Sequence, residues 1–361
     1  MTPRRLRLAA LLLVPILAVG CGDTAREGSM EETTFDAADD TAPRVEYGMV
    51  IHGGAGTITR ESMTPELEQQ YRTRMEEALR AGHEVLAGGG PALDAVEATL
   101  RLLEDSELFN AGRGAVFTAD GTNALDASIM DGATLRAGAV AGVSTVRNPI
   151  TLARYVMERS PHVMLSGTGA EQFAREQGIE VTPADYFRTD RRWQQLQEAQ
   201  EAERAAQAGG AGMASGRAPA TWKYGTVGAA ALDQAGNLAA GTTTGGMTNK
   251  KWGRIGDSPV IGAGTYANAS CALSATGWGE YFIRNVVAYD ICARAEYLEV
   301  PLPEAARQVI MEKLEAQEPE TGGIIGLDSQ GRVVMAFNSQ GMYRGWVDQD
   351  GNVTVAIYRD P

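Results

Sequence analysis

The stretch GTVGAAALDQAGNLAAGTTTGG, residues 225–246, places Thr226 directly after Gly225, follows it with two runs of small apolar residues, and ends in Thr242, Thr243 and Thr244. Residues 226–233 and 237–244 read as strands, and Gln234-Ala235-Gly236 between them is a hairpin signal. The chain of 361 residues holds three histidines and three cysteines, so the usual nucleophile and base pairs are scarce. A threonine hydroxyl is a weak nucleophile unless a base lies within hydrogen-bond reach. A cut between Gly225 and Thr226 would supply one: the new α-amino group has a pKa of roughly 7.7 to 8 and belongs to the same residue as the hydroxyl. Glycine at 225 suits attack on its own carbonyl, because it accepts backbone conformations that other residues resist. The preceding run AAQAGGAGMASGRAPATWKYG, residues 205–225, reads as a helix fraying into a flexible linker that gives the freed end room to move.

On the N-terminal side, GMVIHGGAG (residues 48–56) reads as a buried strand entering a tight glycine loop, with His52 structural rather than a ligand. Leu67, Tyr71, Met75 and Leu79 recur every four residues, which predicts an amphipathic helix from Pro65 to the glycines at 88–90. A second helix starts near Pro91 and carries Leu93, Val96, Leu100 and Leu103. LDASIM (125–130) and AGAVAGV (137–143) read as strands, and helices follow over 151–158 and 170–176. The turn LSGTGAEQ between those helices lacks the lysine and glycine spacing of a phosphate loop, which argues against nucleotide binding. On the C-terminal side SPVIGAGTY (258–266) reads as a strand. Glu280 opens a helix, and another spans 303–316. GGIIGLDSQGRVVMAFN and GNVTVAIY give strands with turns at Ser329-Gln330-Gly331 and Asp350-Gly351. Strand groups and helix pairs alternate in blocks, which favours sheets stacked between helix layers, an α+β fold, over parallel βαβ units.

The first residues, MTPRRLRLAALLLVPILAVGCGD, set Arg4, Arg5 and Arg7 before an apolar run, the pattern of a secretory signal peptide over residues 1–20. That run is shorter than the roughly 20 residues of a spanning helix. A small residue before Cys21 resembles the lipobox of bacterial lipoproteins, which would make Cys21 the lipidated first residue of a periplasmic, outer-membrane-tethered protein; ordinary secretion with an idle cysteine is the alternative. Residues 21–44 form an acidic tether, with seven acidic and two basic side chains between Gly22 and Arg44 and too little apolar surface to offset chain entropy. The formal net charge of −14 argues against a nucleic-acid partner, because phosphate binding depends on clustered Lys and Arg. The membrane is reached through the lipid anchor only. Cys271 and Cys292 read as buried free thiols, since spacing alone does not establish a disulfide. No His/Cys/Asp cluster has zinc-ligand spacing.

IHGGAG, LFNAGRGAVFTADGTNALDASIMDG, GTVGAAALDQAGNLAAGTTTGGMTNKKWGRIGDSPVIGAGTYAN and ATGWGEYFIR together resemble the isoaspartyl peptidase/L-asparaginase family of N-terminal nucleophile hydrolases, over about residues 48–358. The resemblance implies a four-layer αββα sandwich, made as a precursor that cuts itself into an α chain (residues 45–225) and a β chain (226–361) and assembles as an (αβ)2 homodimer. It implies Thr226 as nucleophile, Thr244 as its support, and Thr276 and Gly277 as the oxyanion hole. Arg254 and Asp257 would hold the substrate's α-carboxylate and α-ammonium groups, with Thr276, Gly277 and Gly279 completing the pocket. A guanidinium grips a carboxylate in bidentate fashion and an aspartate accepts from an ammonium, so these residue types suit that work; on sequence alone they would read as a surface ion pair. The resemblance implies no cofactor for catalysis. It implies a structural sodium ion held by the backbone carbonyls of Ser106, Glu107, Phe109, Ala111 and Arg113. Asn110 in the same loop could instead approach the nucleophile. Trp278 departs from the family pattern, in which a smaller or polar residue can stand, and a ring there could narrow the pocket mouth or stack on a leaving group.

The implied activity is that of a self-processing amidohydrolase acting on small molecules, β-aspartyl dipeptides and L-asparagine, and releasing L-aspartate through an acyl-enzyme on Thr226. Two alternatives stay open. One is a glycosylasparaginase-like hydrolase of N-linked sugar stubs, for which aspartate in place of Gly225 would fit better. The other is a non-catalytic amino-acid-binding lipoprotein.

Overall fold

The hairpin read from residues 226–244 forms as β5 (Val227–Leu232) and β6 (Leu238–Thr244), paired antiparallel with Val227 opposite Thr243 and Leu232 opposite Leu238. Every residue of both strands is buried, as expected of strands covered on both faces. The structure is a computed structural model that describes residues 44–208 and 225–359. The signal-peptide segment, Cys21, the tether up to residue 43 and linker residues 209–224 lie outside the described residues.

The hairpin sits at the centre of an eight-stranded sheet. Its order is β12-β11-β1-β5-β6-β2-β3-β4. Here β1 is Gly48–Gly56, β2 Leu125–Asp131, β3 Ala137–Val143, β4 Met164–Ser166, β11 Gly341–Val347 and β12 Val353–Tyr358. All pairings are antiparallel except β3 with β4. The strands on either side of residue 225 are interleaved: β11-β12 and β5-β6 follow it in sequence, while β1 and β2-β3-β4 precede it. A second, four-stranded sheet has the order β10-β9-β8-β7, namely Val333–Phe337, Gly322–Asp328, Cys271–Gly277 and Thr265–Ala267.

Helices α1 (Pro65–Ala87), α2 (Ala92–Glu104), α3 (Pro149–Arg159) and α4 (Gly167–Glu176) contact the larger sheet. Thr64 caps α1 by accepting from Leu67 N–H, with Pro65 at the first helical position. The predicted stripe of α1 points inward, and Met75 and Leu79 pack in one core with Met49, Ile51, Val96 and Leu100. Between the sheets Val50, Ala230 and Leu238 meet Ala272, Ile325 and Leu327. After α5 (Asp190–Ala208) and α6 (Gly279–Asn285), helices α7 (Val287–Tyr297) and α8 (Leu302–Arg307) contact the smaller sheet, where Ile291 and Leu302 pack with Leu273 and Ile324.

Three expectations need correction. Of the segment 258–266 only Thr265 and Tyr266 are strand, in β7 (Thr265–Ala267), because Val260, Ala263 and Gly264 spend their N–H groups on local turns to Asp257 and Val260 carbonyls. The helix expected over 303–316 starts at Leu302 and widens into a π-helix over Gln308–Leu314. Cys271 and Cys292, read as free thiols, are joined: α7 packs across β8 and brings their Cα atoms to 6.0 Å, a separation that suits a disulfide.

Candidate active site

Side chains alternate across a strand, and that divides the three threonines. Thr243 points toward the helices and donates to buried Glu104 at 2.7 Å, whose carboxyl burial pushes up to about 8. Thr242 and Thr244 point the other way. Thr226 precedes β5 directly, and the hairpin returns Thr244 to its side, so Thr226 Oγ1 donates to Thr244 Oγ1 at 3.2 Å. Thr244 Oγ1 in turn lies 3.3 Å from the Gly225 carbonyl oxygen and accepts from Gly246 N–H at 2.9 Å. Hydroxyl, supporting hydroxyl and the carbonyl of the bond preceding Thr226 thus form one contiguous group.

Behind it stands His52, which does more than the sequence suggested. Its Nδ1 lies 2.8 Å from the Thr226 carbonyl and its Nε2 2.9 Å from Ser274 Oγ. Burial pushes the ring down to about 3, against the smaller opposing effect of the carbonyl, so it is neutral. A carbonyl only accepts, so Nδ1 carries the hydrogen and Nε2 accepts from Ser274. Ser274 continues through Thr242 at 2.6 Å into a chain of buried hydroxyls. The glycine loop closes the group from above: Gly54 has φ +116°, and a Cβ there would stand 2.8 Å from Gly225 Cα.

Thr276 is buried in β8 and accepts from Ala55 N–H at 3.3 Å. Gly277 follows it and lines a cleft together with Gly225, Thr226, Thr244, Arg254 and Asp257. The ion pair that sequence alone suggested is not the one formed. Arg254 gives its Nε and Nη2 edge to Glu280, at 3.0 and 2.8 Å, and Asp257 keeps Oδ2 without a hydrogen-bond partner among the described residues. Burial works against the charge on Arg254, but the Glu280 contact outweighs it and holds the guanidinium above its ordinary value. Burial also pushes Asp257 up to about 7, with Arg254 acting in the opposite direction. Gly279 is required by this packing, because a Cβ there would come within 2.8 Å of Asp257 Oδ1 and 2.9 Å of Arg254 Nη2. The Trp278 ring packs edge-on against Tyr281, with centroids 5.0 Å apart, and is not among the residues that line the cleft.

Ser106, Glu107, Phe109, Ala111 and Arg113 follow α2 as a tight loop. Carbonyl oxygens of Ser106, Glu107 and Phe109 converge on Gly114, where a Cβ would meet all three within 2.8 Å. The Ala111 carbonyl accepts from Gly114 N–H at 3.1 Å, and the Arg113 side chain pairs with Glu107 at 2.7 Å. Among the described residues no group of three or more His, Cys, Asp or Glu side chains is placed to hold a metal. Asn110 approaches the nucleophile region, since a Cβ on Gly225 would stand 3.1 Å from Asn110 Cβ, and it braces the turn after Thr244: its Nδ2 donates to Gly246 O at 2.7 Å and its Oδ1 accepts from Val116 N–H at 2.9 Å.

His52, Ser274 and Glu280 are the site residues that sequence reasoning missed. Ser274 had a signal, since it lies two residues before Thr276 on one face of a strand. Glu280 was noted only as a helix start.

The profile of a family described as asparaginase matches residues 45–357. The isoaspartyl peptidase of Salmonella typhimurium is 52% identical, over 86% of this chain and 98% of its own. That of Escherichia coli is 50% identical over 86% and 96%, and the isoaspartyl peptidase/L-asparaginase of Rattus norvegicus 38% over 88% and 91%. With nearly all of the folded region matched at these identities, the chain belongs to the asparaginase family and is an enzyme.

Proposed function

We propose that this enzyme is a self-processing amidohydrolase that cleaves β-aspartyl dipeptides and L-asparagine with Thr226 as its N-terminal nucleophile. The observation that carries the reading is the contact of Thr226 Oγ1 with Thr244 Oγ1 beside the Gly225 carbonyl. In the precursor Thr226 Oγ1 bonds to the Gly225 carbonyl carbon, the Gly225–Thr226 C–N bond breaks, and water hydrolyses the resulting ester. The freed α-amine, with a pKa of roughly 7.7 to 8, then takes the hydroxyl proton when substrate is attacked. Substrate lays its α-carboxylate on the Nη1 side of Arg254 that Glu280 leaves open and its α-ammonium on Asp257. Thr276 and Gly277 face the developing oxyanion. The amine departs with a proton, and water releases L-aspartate from Thr226.

Relatives named isoaspartyl peptidase and, in Pyrococcus, plant-type L-asparaginase support this substrate class, and Gly225 disfavours the glycosylasparaginase-like reading. The helix and sheet contacts support a four-layer αββα sandwich of the N-terminal nucleophile type; a cut into residues 45–225 and 226–361 and pairing as an (αβ)2 homodimer belong to the same reading. A structural sodium ion on the backbone carbonyls of Ser106, Glu107, Phe109, Ala111 and Arg113 remains part of the reading and would stiffen their loop. The disulfide suits an oxidising compartment and so supports export; a lipid-anchored Cys21 is the further part of that reading, carried by the sequence alone. Intact mass of the mature protein checks the anchor: an unmodified Cys21 removes it.

The reading is tested by offering processed enzyme a β-aspartyl dipeptide and its α-linked isomer. The β-linked substrate should be strongly preferred, and equal rates would falsify the substrate assignment. A pH profile tests the ammonium site. Protonated Asp257 is uncharged and does not balance an ammonium, so kcat/KM for L-asparagine falls as pH drops through about 7 as well as through the titration of the Thr226 amine. The acid limb should approach a slope of two in wild type and a slope of one, from a lower plateau, in Asp257→Asn. Identical limbs would assign ammonium binding elsewhere.

A further inference from the structure

Gly225 lines two clefts. One contains Thr226, Thr244, Arg254 and Asp257; the other, about 190 Å³, shares only Gly225 with it, so this residue is the partition between them. The second cleft is lined by Arg191 and Arg192 from the start of α5 (Asp190–Ala208) and by apolar Ile58, Met63 and Leu67.

The two arginines are unusual in a chain with 46 acidic and 32 basic side chains. Arg147, Arg154, Arg254 and Arg307 all pair with carboxylates. Arg191 and Arg192 make no ion pair among the described residues. Arg191 donates to Tyr71 Oη at 3.1 Å, Glu107 O at 3.0 Å and Leu108 O at 2.6 Å. Arg192, 7% exposed, donates to Gly114 O at 2.7 Å and Gln195 Oε1 at 3.0 Å. Every one of these acceptors is neutral. Burial pushes Arg192 down to about 10, and the adjacent Arg191 charge acts in the same direction. A desolvated Arg192 beside a partly buried Arg191, both opposed only by dipoles, is costly until an anion arrives.

We propose that this cleft is the leaving-group subsite and that Arg191 and Arg192 recognise the free α-carboxylate of the amino acid released from a β-aspartyl dipeptide. The inference rests on the proposed function and deepens it. Such a dipeptide carries two carboxylates: the aspartyl one belongs to Arg254, and the other has no assigned partner. Cutting after Gly225 turns the partition into a chain end and opens one cleft to the other. Ile58, Met63 and Leu67 then receive the leaving residue's side chain, so an apolar leaving residue is favoured. The ammonia released from L-asparagine has no carboxylate and makes no use of the subsite.

The test uses fully processed enzyme and compares kcat/KM for β-aspartyl-leucine, its C-terminal amide, and L-asparagine. The free acid should exceed the amide by about tenfold, the effect of roughly one charge-assisted hydrogen bond. Arg191→Gln should bring that ratio close to one, and Arg191→Lys should keep part of it. A ratio is insensitive to a partial loss of folded enzyme, and if Arg191→Gln does not fold, the wild-type ratio and Arg191→Lys still decide. Equal values for acid and amide in wild type, with all three substrates turned over, would overturn the subsite alone and assign the arginines to the loop carbonyls or to the Gly225 carboxylate. A ratio unchanged in Arg191→Gln would overturn it as well. No turnover of any of the three would sink the proposed function and this inference together.

Discussion

Thr226→Ala is expected to remain one uncut chain and to hydrolyse nothing measurable. The substitution removes the hydroxyl that donates to Thr244, whose own hydroxyl lies 3.3 Å from the Gly225 carbonyl oxygen, and with it the proposed chemistry of processing and of turnover. Loss of a nucleophile costs on the order of a millionfold in kcat where it has been isolated from binding effects. The fold should persist, because alanine fits a position before β5 without adding volume. Denaturing electrophoresis and intact mass read the cut, and circular dichroism reads the fold. Thr226→Ser should be cut and retain reduced activity, since it keeps the hydroxyl and loses only the methyl group that restricts χ1. A Thr226→Ala chain that still separates into two pieces before residue 226 would mean that the cut is not made by this residue.

Arg254→Lys should lower kcat/KM for β-aspartyl dipeptides by about tenfold or more, while processing is retained. Hydrogen bonds to charged groups contribute roughly 1.5 to 3 kcal/mol each, and lysine has a point charge in place of a planar fork. Glu280 sharpens the expectation. It occupies the Nε and Nη2 edge of Arg254, so in the proposed complex the wild-type guanidinium would serve Glu280 and substrate from two directions. A lysine ammonium that follows Glu280 leaves the substrate carboxylate with a weaker partner. Processing does not involve that clamp, so electrophoresis should still show two fragments. Unchanged kcat/KM would restrict Arg254 to holding Glu280.

The central hairpin and the first two helices were legible because their signals are local: Gln234-Ala235-Gly236 for the turn, and the fourfold spacing of apolar residues for α1. Alternation also sorted Thr243 from its neighbours once the strand was known. What escaped depends on contacts between distant segments. Cys271 meets Cys292 only because α7 crosses β8, and no local pattern encodes that crossing. Glu280 displaced Asp257 as the partner of Arg254 for the same reason. Arg191 and Arg192 open a polar helix, where charge ordinarily reads as a solvated face. Their isolation from carboxylates exists only in three dimensions.

The strand order of the larger sheet bears on the lifetime of an enzyme cut as proposed. A cut after Gly225 leaves β1 held between β11 and β5, and β5-β6 held between β1 and β2, so each fragment fills gaps in the other. Neither fragment closes the sheet alone, and each would present bare strand edges. The uncut chain folds in a first-order event, whereas two unfolded fragments must meet by diffusion before the sheet is rebuilt. The proposed cut would therefore act as a ratchet: it would convert a molecule that refolds by itself into one whose persistence is set by its rate of unfolding, and a heated sample should recover more fully from precursor than from cut enzyme, the more so on dilution.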